Sequence, residues 1–424
     1  MKLSKLILSA WLAAGGLLAF LSCGKPPPPS AWKTSFYVWR EQWTEDMEPA
    51  LNRAAPWANE FMIFAASFRV MGDRLVLDKK TVDWRFLSQT GKPVVLVFRL
   101  PVQFALILER TPSQTAVFLQ DAIQRQMEEA RAQSAAVAGT QFDYDCPTSK
   151  LKDYAALLRA LRFAAPKTPL SITALPAWLE SAAFADLIHG LAYYVLQVHS
   201  LEKPSSIDKD YRLCDVRQAE KAIRRAAAFG KPFYAALPTY GYQLIFDENG
   251  AFAAIASEDA PDSLPANYRT RAVFAEPEAI IPLLESLQRD PPASLVGAVW
   301  FRLPVDSDRM NWTWPTLLAV MEGRMPAMSF KAELRQPQPG LYEIWVTNSG
   351  ERNYEGKIRF NVVKKRSILA YDILGNFHED ESVNSLTGPA PRAGAPALAA
   401  WYRAAPGAEG DGLPIQLGPV EAMK

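Results

Sequence analysis

Gln141, Asp143 and Asp145 alternate with Thr140, Phe142 and Tyr144 in the stretch GTQFDYDCPT, residues 139–148. On a strand, successive side chains point to opposite sides, so the amide and the two carboxylates share one face. Backbone rise places neighbours on that face about 6.5–7 Å apart. Carboxylates that close repel, and one holds its proton to higher pH. Such splitting suits acid/base cleavage of a glycosidic bond, which needs a proton donor near the leaving oxygen and a stabiliser of developing positive charge. In that reading Asp145 is the acid and Asp143 its charged partner. Two other readings stay open. If Arg99 reaches Asp145, the carboxyl pKa falls by about 1–3 units and the group becomes a buried ion-pair cluster. The residues could also contact a ligand without catalysing anything.

Further candidates surround this stretch. Arg302 could serve Asp143 or a substrate carboxylate. Gln197 and His199 share a face at the end of a later strand, where a His can orient substrate or act as base. Glu41 and Trp43 follow the first strand, with Arg40 on the opposite face. Tyr240, Tyr242, Trp178, Trp300, Trp312 and Trp314 fall near strand ends, and aromatic rings suit the apolar faces of sugars. No Ser/His/Asp order, reactive-Cys context, phosphate loop or metal-ligand spacing stands out, so neither cofactor nor metal is expected.

These residues need a scaffold that brings strand ends together. Between Ser35 and about Gly323, eight apolar runs alternate with amphipathic stretches such as KLKDYAALLRALRFA and DVRQAEKAIRRAAAF. That alternation predicts a (β/α)8 barrel, residues 35–327, whose active-site face is the C-terminal end of the strands. Five runs end on Pro, at Pro101, Pro147, Pro176, Pro238 and Pro304. Pro lacks the N–H a central strand needs and marks where pairing stops. The residues two before each, Arg99, Asp145, Ala174, Ala236 and Arg302, are then expected at one level of the barrel. From Met328, short strands with turns at QPG and NSGE predict a small β-sandwich, residues 328–378. The Gly-, Ala- and Pro-rich residues 379–424 are expected as a loose tail.

The N-terminus reads as a targeting segment. Lys2 and Lys5 precede the apolar run LILSAWLAAGGLLAF, and Ser22-Cys23-Gly24 has the form of a lipoprotein cleavage site. Residues 1–22 are thus expected as signal peptide, Cys23 as the acylated residue, and 23–34 as a stiff Pro-rich spacer. Lipid-anchored placement in a bacterial cell envelope, at the periplasm or outer membrane, follows; with ordinary cleavage instead, the protein is secreted. Cys146 and Cys214 remain as two thiols that could pair or stay free. The 46 Lys and Arg nearly balance the 45 Asp and Glu, which disfavours a nucleic-acid partner. A carbohydrate partner, a membrane contact through the lipid anchor, and a monomeric state are expected.

The motifs FYVWREQW, FRLP, QFDYDCPTSKLKDYAALLRALR, LSITALPAWL, QVHS, PFYAALPTYGY and VWFRLP resemble the bacterial family catalogued as domain of unknown function 3142, over most of 35–304. That resemblance implies no activity. A more distant similarity is to the chitinase-type barrels of glycoside hydrolase family eighteen, whose fourth strand carries Asp-Gly-x-Asp-x-Asp-x-Glu. Gly139 to Asp145 is its counterpart here: Asp145 stands in the acid's place and Asp143 in that of the assisting Asp, while Ala138 and Gln141 replace the other two. Taken with the N-terminal targeting segment, this resemblance implies an envelope lipoprotein that hydrolyses or recognises a glycan. A non-catalytic glycan-binding or envelope-assembly lipoprotein is the alternative.

Overall fold

The computed structural model describes residues 32–72, 74–110, 112–165, 167–257, 264–405 and 413–423. The expected signal peptide and Cys23 lie outside these residues. Eight parallel strands close into a barrel: β1 (Lys33–Val38), β2 (Phe61–Met71), β3 (Val94–Leu100), β4 (Val137–Tyr144), β5 (Leu170–Ala174), β6 (Tyr193–Gln197), β7 (Phe233–Pro238) and β8 (Leu295–Phe301). Each pairs with its successor, and β8 returns to pair with β1. Closure requires Gly297, because a Cβ there would run into the Lys33 carbonyl on the neighbouring strand.

The strand sequences are apolar runs because both faces are covered. Inward-facing Tyr37, Met62, Phe64, Val95, Val97, Val195, Tyr234 and Val299 form the barrel's interior cluster. Phe98, Phe142, Ile172 and Leu196 point outward into a larger core shared with the helices. Those helices include Leu151–Ala164, which buries Leu151, Tyr154, Leu158 and Leu161 at helical spacing, and Val216–Ala227. The latter starts sharply because the Asp215 carboxylate accepts hydrogen bonds from the Arg217 and Gln218 amides at 3.0 and 3.1 Å.

Two insertions depart from simple β/α alternation. Arg74–Lys79 runs back antiparallel along β2. After β7 the chain forms an antiparallel three-stranded sheet, Gly241–Phe246, Phe252–Ala256 and Arg269–Phe274, before the helix Pro277–Arg289. The expected common level of the five Pro-terminated strands also needs correction. Arg99 lies level with Asp143, not Asp145, so Asp145 reaches one step higher. Ala174 faces the outer core while Ala236 faces inward. Strands in a sheared barrel stop at different heights, and a shift of one residue reverses which side a position faces.

The β-domain is larger than residues 328–378. One sheet orders Phe330–Gln338, Leu341–Asn348, Pro396–Ala404 and Ile368–Ile373; the other orders His378–Asp380, Ser385–Pro389, Lys357–Lys364 and Ile415–Ala422. Between them Ile344, Val346, Phe360, Val362, Leu386 and Tyr402 form a separate core. The segment expected as a loose tail supplies three of these strands, because Leu386, Ala400, Tyr402 and Ile415 alternate inward among its small residues. The domain is tied to the barrel by Thr313 Oγ1 donating to the Glu351 carbonyl at 2.9 Å, and by Arg392 donating to the Asp308 carbonyl at 2.8 Å.

Candidate functional site

At the C-terminal ends of the strands lies a cavity of about 520 Å³, lined among others by Trp39, Arg99, Asp143, Asp145, Tyr240 and Phe301. β4 delivers its polar face as expected. Gln141, completely buried, accepts a hydrogen bond from Tyr37 Oη at 2.6 Å and donates to Ser171 Oγ at 3.2 Å. This neutral chain is the floor of the site: Tyr37 lines the cavity, and Gln141 and Ser171 lie beneath it. One step up, Asp143 accepts a hydrogen bond from Thr173 Oγ1 at 2.8 Å and faces Arg99 Nε at 3.9 Å. Burial pushes the Asp143 carboxyl above its ordinary pKa, while Arg99 and Thr173 pull the other way and Asp145 adds to the rise. The Asp143 side chain keeps 19% of its surface open, so the push is smaller than complete burial would give. Asp145, at the top, is exposed, and among the described residues no hydrogen bond or ion pair engages its carboxylate. Burial thus biases the Asp143 carboxyl toward its neutral form in the free site.

Arg99 is 55% exposed and lies over the Trp39 ring at 5.9 Å, with its guanidinium beyond hydrogen-bonding distance of Asp143. Trp39 in turn stacks on Phe64 at 4.3 Å. Arg302 also lines the cavity but is not available to Asp143. Its Nε and Nη2 donate to Asp308 Oδ2 at 2.9 and 2.6 Å, and Nη2 also donates to the Ser257 carbonyl at 2.6 Å. Arg40, from the opposite face of the β1 end, approaches the same Asp308 oxygen at 3.6 Å.

His199 and Gln197 line the cavity from the β6 side. His199 is 4% exposed, shares a hydrogen bond between Nδ1 and Tyr240 Oη at 3.2 Å, and stacks on Phe301. Burial pushes its pKa down to about 3, so the ring is neutral near pH 7. That leaves it a hydrogen-bonding group rather than a cation, and its Nε2 has no partner. Glu41 lines the rim, paired with Lys80, which also contacts Asp78 at 2.9 Å.

The remaining aromatic candidates divide. Tyr240 and Tyr242 line the cavity, Tyr242 from the inserted sheet. Trp43 and Trp300 do not line it: Trp43 packs against the outer core, and Trp300 is 1% exposed beside Trp312. Trp178 and Trp314 are likewise core residues. Cys146 and Cys214 are free thiols, each pushed up to about 12 by burial. Sequence reasoning missed Tyr37, Trp39 and Thr173. Period-two counting back from Glu41 and across from Asp143 would have found them, since all lie on inward-facing positions. Asp308 and Lys80 lie in loops, where no periodicity marks them. Among the described residues, no group of three or more His, Cys, Asp or Glu could hold a metal ion, and no helix is long and apolar enough to cross a membrane.

The family model described as "Domain of unknown function (DUF3142)" matches residues 90–306, just over half the chain. No curated protein sequence matches. Among solved structures, the spore cortex-lytic enzyme SleL of Bacillus megaterium is similar at 14% identity and a TM-score of 0.50, covering 71% of this chain and 76% of that one. SleL of Bacillus cereus follows at 12% identity and 0.49, covering 69% and 74%. A chitinase from Bacteroides thetaiotaomicron has 12% identity and 0.46, covering 65% and 90%. At 14% identity the likeness to the Bacillus megaterium protein shows the barrel fold alone.

Proposed function

The chain belongs to the DUF3142 family, and from that premise we propose that its barrel hydrolyses a glycan at the C-terminal face, with Asp145 as acid and Asp143 as its partner. One observation carries the reading. Of the three carboxylates that line the cavity among the described residues, Asp145 alone is exposed and unengaged, while Asp143 is held by Thr173 and faced by Arg99. In the free site, burial favours the neutral form of Asp143. A sugar lying over Asp145 excludes water from it, and desolvation favours the protonated carboxyl. Arg99 and Thr173 both favour ionised Asp143, so the negative charge of the pair passes to the residue equipped to hold it. Asp145 then protonates the leaving oxygen as the glycosidic bond breaks, Asp143 faces the positive charge that develops at the sugar, and a water adds to that carbon and returns a proton to Asp145. Arg99, Gln197, His199 and Tyr240 supply hydrogen-bonding edges, and Trp39, Tyr242 and Phe301 supply ring faces for a pyranose.

The test is release of new reducing ends from a panel of glycans, with Asp145→Asn beside wild type. General acid catalysis contributes about 10²–10⁴-fold. A loss of that size with unchanged unfolding stability supports the acid; equal activity in both proteins refutes it. A non-catalytic glycan-binding or envelope-assembly role on the same scaffold is favoured by Gln141. Where chitinase-type barrels carry Asp, this amide is occupied between Tyr37 and Ser171. Glycan binding that persists in Asp145→Asn without turnover in either protein would select that role.

The envelope location is part of the proposal. It rests on Ser22-Cys23-Gly24 after an apolar run, which makes Cys23 the acylated first residue of the mature chain. Mass spectrometry of the N-terminal peptide from expressing cells checks it: an acylated Cys23 is expected, and an unmodified chain beginning elsewhere rejects the anchor.

A further inference from the structure

A second cavity, of about 960 Å³, opens beside the first, between Pro176–Glu180, the loop after β6 and the helix Val216–Ala227. Three residues line both cavities: Asp145, Gln197 and His199. The residue proposed as acid therefore stands on the seam between them. We infer that this lateral cavity receives the part of the substrate beyond the cleaved linkage, and that it selects a neutral, hydroxyl-rich chain of further sugar units. The inference rests on the hydrolase reading of Asp145.

The lining supports that ligand chemistry. Its charges largely satisfy one another or the backbone: Arg225 pairs with Glu180, Arg212 with Asp210 at 3.7 Å, and Glu202 with Lys209 at 3.0 Å. Asp215 caps the helix. That leaves few charges, Lys221 and Asp145, for an ion in the ligand to meet. What remains is amphiphilic. Leu175, Pro176, Leu179 and Val198 make an apolar wall, and Ser200 and Gln218 set hydrogen-bonding groups against it. A pyranose has the matching form, an apolar face with hydroxyls at its edge. The independent sign of a ligand is His199, whose buried Nε2 has no partner although Nδ1 is engaged by Tyr240. An unsatisfied buried nitrogen costs free energy that a substrate hydroxyl at the seam offsets. His199 is thus a positioning residue for the unit that straddles Asp145.

The experiment measures affinity and kcat/KM of the full chain with two neutral series, N-acetylglucosamine oligomers and cello-oligomers of two to six residues. Wild type is compared with Ala222→Trp, which fills the lateral cavity from the helix without touching the central one. In wild type, affinity or kcat/KM is expected to rise about tenfold or more as the oligomer lengthens. Ala222→Trp should abolish that rise and leave the shortest ligand unaffected. If Ala222→Trp does not fold, Ala177→Trp on the exposed wall of the same cavity makes the same test. A rise that survives the filled cavity, or no dependence on length, overturns the inference while leaving the hydrolase reading standing. Failure of wild type to bind or cleave any member removes the glycan reading, and this inference with it.

Discussion

The tetrapeptide Phe-Arg-Leu-Pro occurs twice, at 98–101 and 301–304, and its two arginines end in opposite situations. Arg99 is 55% exposed, lies over Trp39 and makes only a long-range approach to Asp143. Arg302 is 3% exposed and held by two hydrogen bonds to Asp308, itself fully buried. The phenylalanines differ as well: Phe98 faces the outer core and Phe301 the barrel interior. The two motifs thus differ at the phenylalanine and in the arginine's partners, although both arginines line the cavity and both leucines pack in the outer core. Four identical residues say little about the state of an arginine. The elements opposite it decide whether it is a structural ion pair or a group left for a ligand.

Breaking the buried half of this comparison has the largest effect. Asp308→Ala leaves Arg302 buried without its carboxylate, and losing one partner of such a pair costs about 3–5 kcal/mol. Urea unfolding of the variant measures it; a loss under about 1 kcal/mol would place Arg302 among the solvated charges. His199 sharpens the contrast through pH. Its folded pKa of about 3 lies below the ordinary value of 6.5, so the unfolded chain binds the proton more readily. Stability is therefore complete above pH 6.5 and falls as pH drops from 6.5 toward 3, with a slope of up to about 1.4 kcal/mol per pH unit. In His199→Gln that part of the slope should disappear from unfolding free energies measured across the window. Next in size is Gln141→Leu, which leaves the buried Tyr37 hydroxyl and Ser171 without their partner, at a cost of about 1–3 kcal/mol. The smallest change is Arg99→Ala, because exposed charge pairs contribute about 0–1 kcal/mol. Its unfolding curve should nearly overlay wild type, while glycan affinity falls. Equal stability losses for Arg99→Ala and Asp308→Ala would abolish the distinction between the two arginines.

Much of the molecule follows from local pattern. Eight apolar runs spaced by amphipathic stretches specify a parallel sheet covered by helices, because strands buried on both faces carry apolar side chains on both. The alternation in GTQFDYD places Gln141, Asp143 and Asp145 on one face for the same geometric reason. The β-domain's alternating strands were legible to residue 378; beyond it, Gly, Ala and Pro masked an inward alternation that acquires meaning only against the other sheet's core.

The partners of each charge were not legible, because they come from elements far apart in sequence. Register sets Arg99 level with Asp143 rather than Asp145, and register is a property of two strands at once. Asp308 captures Arg302 from a loop that carries no periodic signal. Trp43 and Trp300 share the composition of the cavity aromatics, yet they pack into the outer core; Trp300 alternates with inward-facing Val299 and Phe301 and so points away from the opening. Sequence by itself determined the barrel and the polar face that β4 turns inward, both consequences of spacing along one strand. Tertiary structure decided which carboxylate is buried, which is open, and where a second cavity meets the first, because burial and pairing depend on what stands across the gap.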